Sequence, residues 1–230
     1  MKSLSDFRKQ KDFFVGIDSD GCVFDTMGVK QREHFLPLIV RTWGLEPVAP
    51  AVREAVEFVN LRSVYRGSNR YPALLKVFEL LAGHPAVRAE GVALPDLSPL
   101  RAYAASGVPL GHPTLREAVD RTGDPELRRV LEWSLAINAD IDARMPPVPP
   151  FPGAREALEK MRARSELFVV SQTPEEALVK EWTQHGLAKL VQAIGGQELG
   201  TKTEQLRLLS GRRAGPARGL MIGDAPGDRA

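Results

Sequence analysis

Phe13-Phe14-Val15-Gly16-Ile17-Asp18-Ser19-Asp20-Gly21 decides how the rest of this chain is read. An apolar run that stops abruptly at Asp-Ser-Asp-Gly is the pattern of a buried strand whose C-terminal end opens into a tight turn. Two acids then stand at the mouth of that strand. From Gly28 to about Met145 the texture changes, and helical periodicity dominates. Helices are expected near Val29–Trp43, Ala51–Leu61, Pro72–Ala82, Pro99–Ala105, Thr114–Arg121 and Glu126–Arg144. In the last of these, Asp124 can cap and Pro125 occupies a first-turn position. The run Pro146-Pro147-Val148-Pro149-Pro150-Phe151-Pro152 then excludes helix and favours a stiff, extended connector.

After the prolines the pattern alternates. Gly153–Arg164 reads as helix, Leu167–Val170 as strand and Glu175–His185 as helix. Val191–Ile194 then reads as strand, Thr203–Leu209 as helix and Gly219–Ile222 as strand. Helix and strand alternating through short loops build a parallel sheet covered on both faces. One strand therefore precedes the helical insert and the others follow it. The expected organisation is an α/β core from residues 1–27 and 146–230, with a mostly α-helical insert over 28–145.

Composition narrows the class. The 230 residues are 43% hydrophobic and 26% charged, with a formal net charge of +2, as expected of a soluble globular protein. No block of like charge appears, so neither nucleic acid nor a membrane is an expected partner. Cys22 is the single cysteine, so no intrachain disulfide can form. Met1 to Lys11 is polar and lacks the apolar run of a signal peptide. No apolar stretch approaches the roughly 20 residues that cross a bilayer. A cytoplasmic location is the expectation.

In an open parallel sheet, ligands bind at the C-terminal ends of the strands. Those ends deliver Asp18 and Asp20, then Ser171, then Gly223-Asp224 with Asp228 close behind. The loop after the third strand leads to Gly200-Thr201-Lys202 at the opening of a helix. Four carboxylates crowded into one crevice repel one another strongly unless a cation intervenes. The donors are oxygens, which suits Mg²⁺; one cysteine and four scattered histidines offer nothing for a softer metal. A lysine and a hydroxyl in the same crevice suit a phosphoryl group.

Taken in order, these segments resemble the four motifs of the haloacid dehalogenase superfamily. Asp18-Ser19-Asp20-Gly21-Cys22-Val23-Phe24-Asp25 is similar to the first motif and Val169-Val170-Ser171 to the second. Lys202 matches the third, and Gly223-Asp224-Ala225-Pro226-Gly227-Asp228 the fourth. Pro150–Leu158 resembles the segment that returns to the core in this family. The resemblance implies a Rossmann-like three-layer core with a helical cap inserted between the first two motifs, as in phosphoglycolate phosphatase and β-phosphoglucomutase relatives. It also implies roles. Asp18 attacks phosphorus, Asp20 protonates the leaving oxygen and then activates water, Ser171 holds the phosphoryl oxygens, and Lys202 neutralises charge. Mg²⁺ is held by Asp18, by Asp20 through its backbone carbonyl and by Asp224, while Asp228 binds through water or orients Lys202. An acid at position 20 points to phosphate esters rather than haloacids. The implied activity is hydrolysis of a small phosphorylated metabolite. A phosphomutase using the same intermediate and a non-catalytic ligand-binding member are the alternatives.

Cys22 reads as a small packed residue rather than a nucleophile, and His34, His84, His112 and His185 show no ligand spacing. Within the insert, Arg62-Ser63-Val64-Tyr65-Arg66-Gly67-Ser68-Asn69-Arg70 gathers three arginines around a glycine. It is either a solvated loop or a substrate-recognition loop, so Arg62, Arg66 and Arg70 are candidate substrate-binding residues, together with Gln172 beside Ser171. The part of the insert between Gly83 and Gly123 has no counterpart in the family pattern. Because the sequence stops just after the fourth motif, it is expected to be a C-terminally incomplete form of a longer enzyme, or to have its last strand covered by another chain.

Overall fold

The computed structural model describes residues 11–211 and 218–229. The chain opens with strand β1 (Phe13–Ile17). A helical run follows: α1 (Thr26–Val29), α2 (Leu36–Trp43), α3 (Ala49–Glu57), α4 (Arg70–Gly83), α5 (Pro85–Ala89), α6 (Ser98–Ala104), α7 (His112–Thr122) and α8 (Pro125–Arg144). Alternation then sets in with α9 (Ala154–Arg162), β2 (Glu166–Val170), α10 (Glu175–Gln184), β3 (Ala193–Gly195), α11 (Lys202–Gly211) and β4 (Arg218–Ile222). The chain divides into two compact units. One joins the segment up to Met27 to the segment from Pro147 onward, and the other is Gly28–Pro146.

The first unit is a parallel α/β sheet in the order β3-β2-β1-β4. Ile17 stands opposite Val169 on one side and Ile222 on the other, so these three strands end at the same level. Connections from β1 to β2 and from β2 to β3 step in one direction, whereas the connection to β4 crosses back past β1. Right-handed crossovers then put α9 and α10 on one face and α11 on the other. Packing agrees: Phe14, Phe168, Val170 and Ala193 cluster with Leu209 and Leu206 of α11. Gly16 permits that approach, because a Cβ there would stand 3.0 Å from Leu206 and 3.0 Å from Met221. Every residue of β2 is buried, as expected of a strand covered on both faces. β4 is exposed over Arg218–Leu220 and pairs with β1 alone among the described residues.

Many boundaries differ from the sequence reading by one or two residues. The third strand is Ala193–Gly195 rather than Val191–Ile194, because Ala188–Leu190 forms a short 3-10 turn that delays pairing. The helix expected from Thr203 begins at Lys202.

The second unit is helical and has its own core. Trp43 meets Phe78 at 5.1 Å and Trp133 at 5.8 Å, and Trp133 meets Phe35 edge-on at 6.0 Å. The Gly83–Gly123 stretch is integral to this core: Val87, Leu97, Leu100, Tyr103, Leu115 and Val119 are all buried in it. Two expected single helices are instead interrupted by π-helical turns at Lys30–Phe35 and Phe58–Arg62. The two π turns are joined by a buried amide pair, Asn60 Nδ2 donating to Gln31 Oε1 at 2.8 Å. No helix among the described residues is long and apolar enough to cross a membrane.

Candidate active site

The strand that begins the chain's readable pattern also fixes the first acid. Asp18 N–H donates to Ile222 O at 2.9 Å, carrying the β1–β4 ladder one residue past the strand. Its side chain accepts from Ser19 N–H at 2.8 Å. Ser19 is fully buried, and its hydroxyl accepts from Trp182 Nε1 of α10 at 3.0 Å. Trp182 packs edge-on against Phe24, which is also fully buried. The turn itself closes through Val23 N–H to Ser19 O and Gly21 N–H to Phe24 O. Asp18 and Asp20 thus flank a residue pinned from the helical layer.

Asp18 is only 5% exposed and lies 2.8 Å from Lys202 Nζ. Lys202 also pairs with Asp228 at 2.5 Å. Its position at the first turn of α11 has a local cause. Thr201 and Glu204 form a reciprocal cap, Thr201 N–H donating to Glu204 Oε2 and Glu204 N–H to Thr201 Oγ1. Asp228 is held by Ala225 N–H, which donates to its Oδ2 at 2.9 Å. Gly223 is required there, since a Cβ would meet the Asp228 carboxyl carbon at 2.2 Å. Asp18, Asp224 and Asp228 each offer one carboxylate oxygen, and the three oxygens lie within 4.8 Å of one another.

The electrostatics are unbalanced. Burial pushes the Asp18 carboxyl up to about 6, although Lys202 pulls it back down and Asp228 adds to the rise. For Lys202 burial opposes the charge, yet Asp18 and Asp228 outweigh it and hold the ammonium above its ordinary value. Both shifts are upward, so the charged form is disfavoured at Asp18 and favoured at Lys202. The geometry explains this: Asp18 must share Lys202 with Asp228, whereas Lys202 sees both carboxylates at once. A hard divalent ion with oxygen ligands fits this donor set. The same carboxylates, after burial, push the Cys22 thiol up to about 12, which removes it as a nucleophile near neutral pH.

Asp20 is gripped by two hydroxyls. Thr26 Oγ1 donates to its Oδ1 at 2.8 Å and Thr173 Oγ1 to its Oδ2 at 3.1 Å. Thr173 also ties Asp20 to Ser171, because Thr173 N–H donates to Ser171 Oγ at 3.2 Å. Ser171 is 1% exposed and continues β2 by donating its N–H to Gly195 O. The loops around it are gathered by Gln205, whose Nε2 reaches the carbonyls of Ser171, Gly196 and Gly200. Gln172 turns to the same loop, donating to Gly200 O at 2.8 Å.

The structure thus brings Asp18, Lys202, Asp224 and Asp228 into one cluster and links Asp20 to Ser171 through Thr173. The three candidate arginines of the helical unit each have a different contact. Arg62 pairs with Glu57 at 3.0 Å, Arg66 donates to Leu61 O, and Arg70 donates to Ser134 of α8. Thr173, Trp182 and Gln205 were not singled out in the sequence. Thr173 stands in a bend after β2, where strand alternation says nothing of its side. A capping signature at Thr201–Glu204 was there to place Lys202.

No family model matches the chain, and no curated protein matches it. Among solved structures it is similar to a haloacid dehalogenase-like family hydrolase from Streptococcus pneumoniae, at 14% identity and a TM-score of 0.48. That match covers 95% of this chain and 78% of the other. A haloacid dehalogenase-like family hydrolase from Xanthomonas campestris matches at 17% identity and TM-score 0.44, over 94% of this chain and 75% of that one. A predicted phosphoglycolate phosphatase from Haemophilus somnus matches at 15% and 0.44, over 96% and 80%.

Proposed function

We propose that this chain is a magnesium-dependent phosphohydrolase of the haloacid dehalogenase superfamily that cleaves a small phosphomonoester. The observation that carries the reading is the buried Asp18–Lys202–Asp228 arrangement at the strand ends, with Asp20 held two residues from Asp18 by Thr26 and Thr173. A carboxyl that titrates at about 6 is largely ionised at neutral pH, as a nucleophile must be. Asp18 Oδ attacks phosphorus and the ester oxygen departs, taking a proton from Asp20. Water then attacks the Asp18 acyl phosphate, gives its proton back to Asp20, and inorganic phosphate leaves with Asp18 restored. The two hydroxyls on Asp20 hold both carboxyl oxygens in register for these transfers. Lys202 and the Ser171 hydroxyl offset charge on the phosphoryl oxygens. Asp18, Asp224 and the Asp20 carbonyl, with Asp228 through water or by orienting Lys202, would hold Mg²⁺, which would supply the remaining positive charge. Arg62, Arg66, Arg70 and Gln172 are proposed as contributors to substrate choice.

The test is hydrolysis of p-nitrophenyl phosphate with Mg²⁺, after chelation, and by Asp18→Asn. Turnover should require the metal and fall by about a thousandfold or more in the variant. Full activity after exhaustive chelation contradicts the metal assignment, and wild-type turnover by deamidation-free Asp18→Asn contradicts the nucleophile.

A further inference from the structure

The helical unit holds a cluster of opposite imbalance. Arg70 is half-buried, and no carboxylate among the described residues pairs with it. Its Nη1 donates to Ser134 O at 3.0 Å and Ser134 Oγ at 3.1 Å, and the guanidinium lies over the Phe35 ring at 5.3 Å. Those bonds leave Nε and Nη2 without a partner among the described residues. His112 Nε2 sits 2.7 Å from the same Ser134 oxygen. Ser134 is fully buried, whereas Arg70 and His112 are half-exposed. Burial lowers the His112 titration point, and Arg70 and then Arg116 lower it further. Arg116 is exposed and also lacks a carboxylate partner among the described residues.

Several other cations of this unit meet a carboxylate directly. Arg32, Arg53 and Arg62 gather on Glu57, Arg129 sits on Glu126 and Arg144 on Asp140. Two helix starts add to the excess of positive charge around Arg70: α4 begins at Arg70 itself and α7 at His112. Asn69 Nδ2, donating to Leu110 O at 3.0 Å, holds these starts side by side.

A guanidinium with unused donors, a histidine sharing its anchor and two converging helix starts, all without a carboxylate, form a receptor lacking its anion. We infer that Arg70, His112 and Arg116, set on Ser134, bind an anionic oxygen group of a small molecule, a carboxylate or a phosphate. His112 lies in the stretch that the family pattern does not account for. The inference deepens the proposed part of Arg70 in substrate choice and rests on that reading, while its test is separate from the Asp18 chemistry.

The experiment follows the His112 ring resonances of the full chain in EDTA, assigned with His112→Gln. Inorganic phosphate or malonate is added, against sodium chloride at matched ionic strength. Saturable shifts are expected with at least one oxyanion, and the one preferred identifies the chemical class. Arg70→Gln should weaken binding about tenfold or more, the loss expected for a charged hydrogen-bond partner. Arg116→Ala should weaken it about threefold, as an exposed charge does. Arg70→Lys, which keeps the charge, should fall between wild type and Arg70→Gln. The inference is overturned if chloride moves the His112 resonances as far as both oxyanions do. It is equally overturned if folded Arg70→Gln binds like wild type. Turnover plays no part in the readout and the metal is chelated, so either result leaves the Asp18 chemistry to its own test.

Discussion

The two units solve opposite electrostatic problems. In the sheet unit Asp18 and Asp228 share the one ammonium of Lys202, so negative charge leads in that trio. In the helical unit Arg70, His112 and Arg116 gather without a carboxylate partner among the described residues, so positive charge leads there. Arg129 on Glu126 and Arg144 on Asp140, by contrast, pair one to one within the helical unit. A partly buried cluster that stays unbalanced costs stability unless an ion from outside completes it. The comparison therefore separates structural charge, which is paired within the chain, from charge kept for a ligand.

Removing the cation of the sheet unit should sharpen this contrast most. Lys202→Met leaves Asp18 and Asp228 facing each other in a buried site. Breaking a buried pair in this way typically costs about 3–5 kcal/mol. We expect a loss of that order in denaturant unfolding without metal, together with loss of phosphatase activity. A variant as stable as wild type would mean that Lys202 does not carry the balance of the cluster.

Removing one of the excess carboxylates should do the reverse. Asp18 titrates at about 6 in the folded protein against 3.8 ordinarily, so folding favours its protonated form. Its contribution is therefore most favourable below about pH 4 and is lost as pH rises toward 6. At neutral pH the penalty is up to roughly 3 kcal/mol. In metal-free buffer Asp18→Asn should melt above wild type at pH 7.5, and the gap should close near pH 4. Mg²⁺ should raise the melting point of wild type more than that of the variant. A variant less stable than wild type at pH 7.5 without metal would contradict the excess-charge account.

The smallest effect is expected where no charge changes. Thr173→Val removes one of the two hydroxyls on Asp20. It should lower kcat about tenfold with little change in KM, and Thr173→Ser should restore most of the loss. An equal rise in KM at constant kcat would make Thr173 a substrate contact instead.

Legibility in the sequence followed the same division. Asp18, Asp20, Ser171, Lys202, Asp224 and Asp228 could be named because a parallel sheet sends its strand ends to one crevice, and strand ends show in the apolar pattern. Thr173 and Gln205 could not. A threonine in a loop is a common turn former, and a glutamine inside α11 shows no sign that its amide will collect three carbonyls. The helical unit was readable as helices but not in its details. One extra residue per turn at Lys30–Phe35 and Phe58–Arg62 leaves the 3.6-residue pattern nearly intact, so the π turns stayed hidden. The Arg70–Ser134–His112 contact joins residues far apart in sequence, and helix periodicity carries no information about which helices meet.

The measurement closest to the central claim is acid quenching during turnover of a phosphomonoester with Mg²⁺, followed by peptide mapping. The account predicts an acid-trapped acyl phosphate on Asp18, absent from Asp18→Asn and from samples without metal. Phosphate trapped on another residue, or steady turnover by wild type with no label on Asp18 at any quench time, would contradict it.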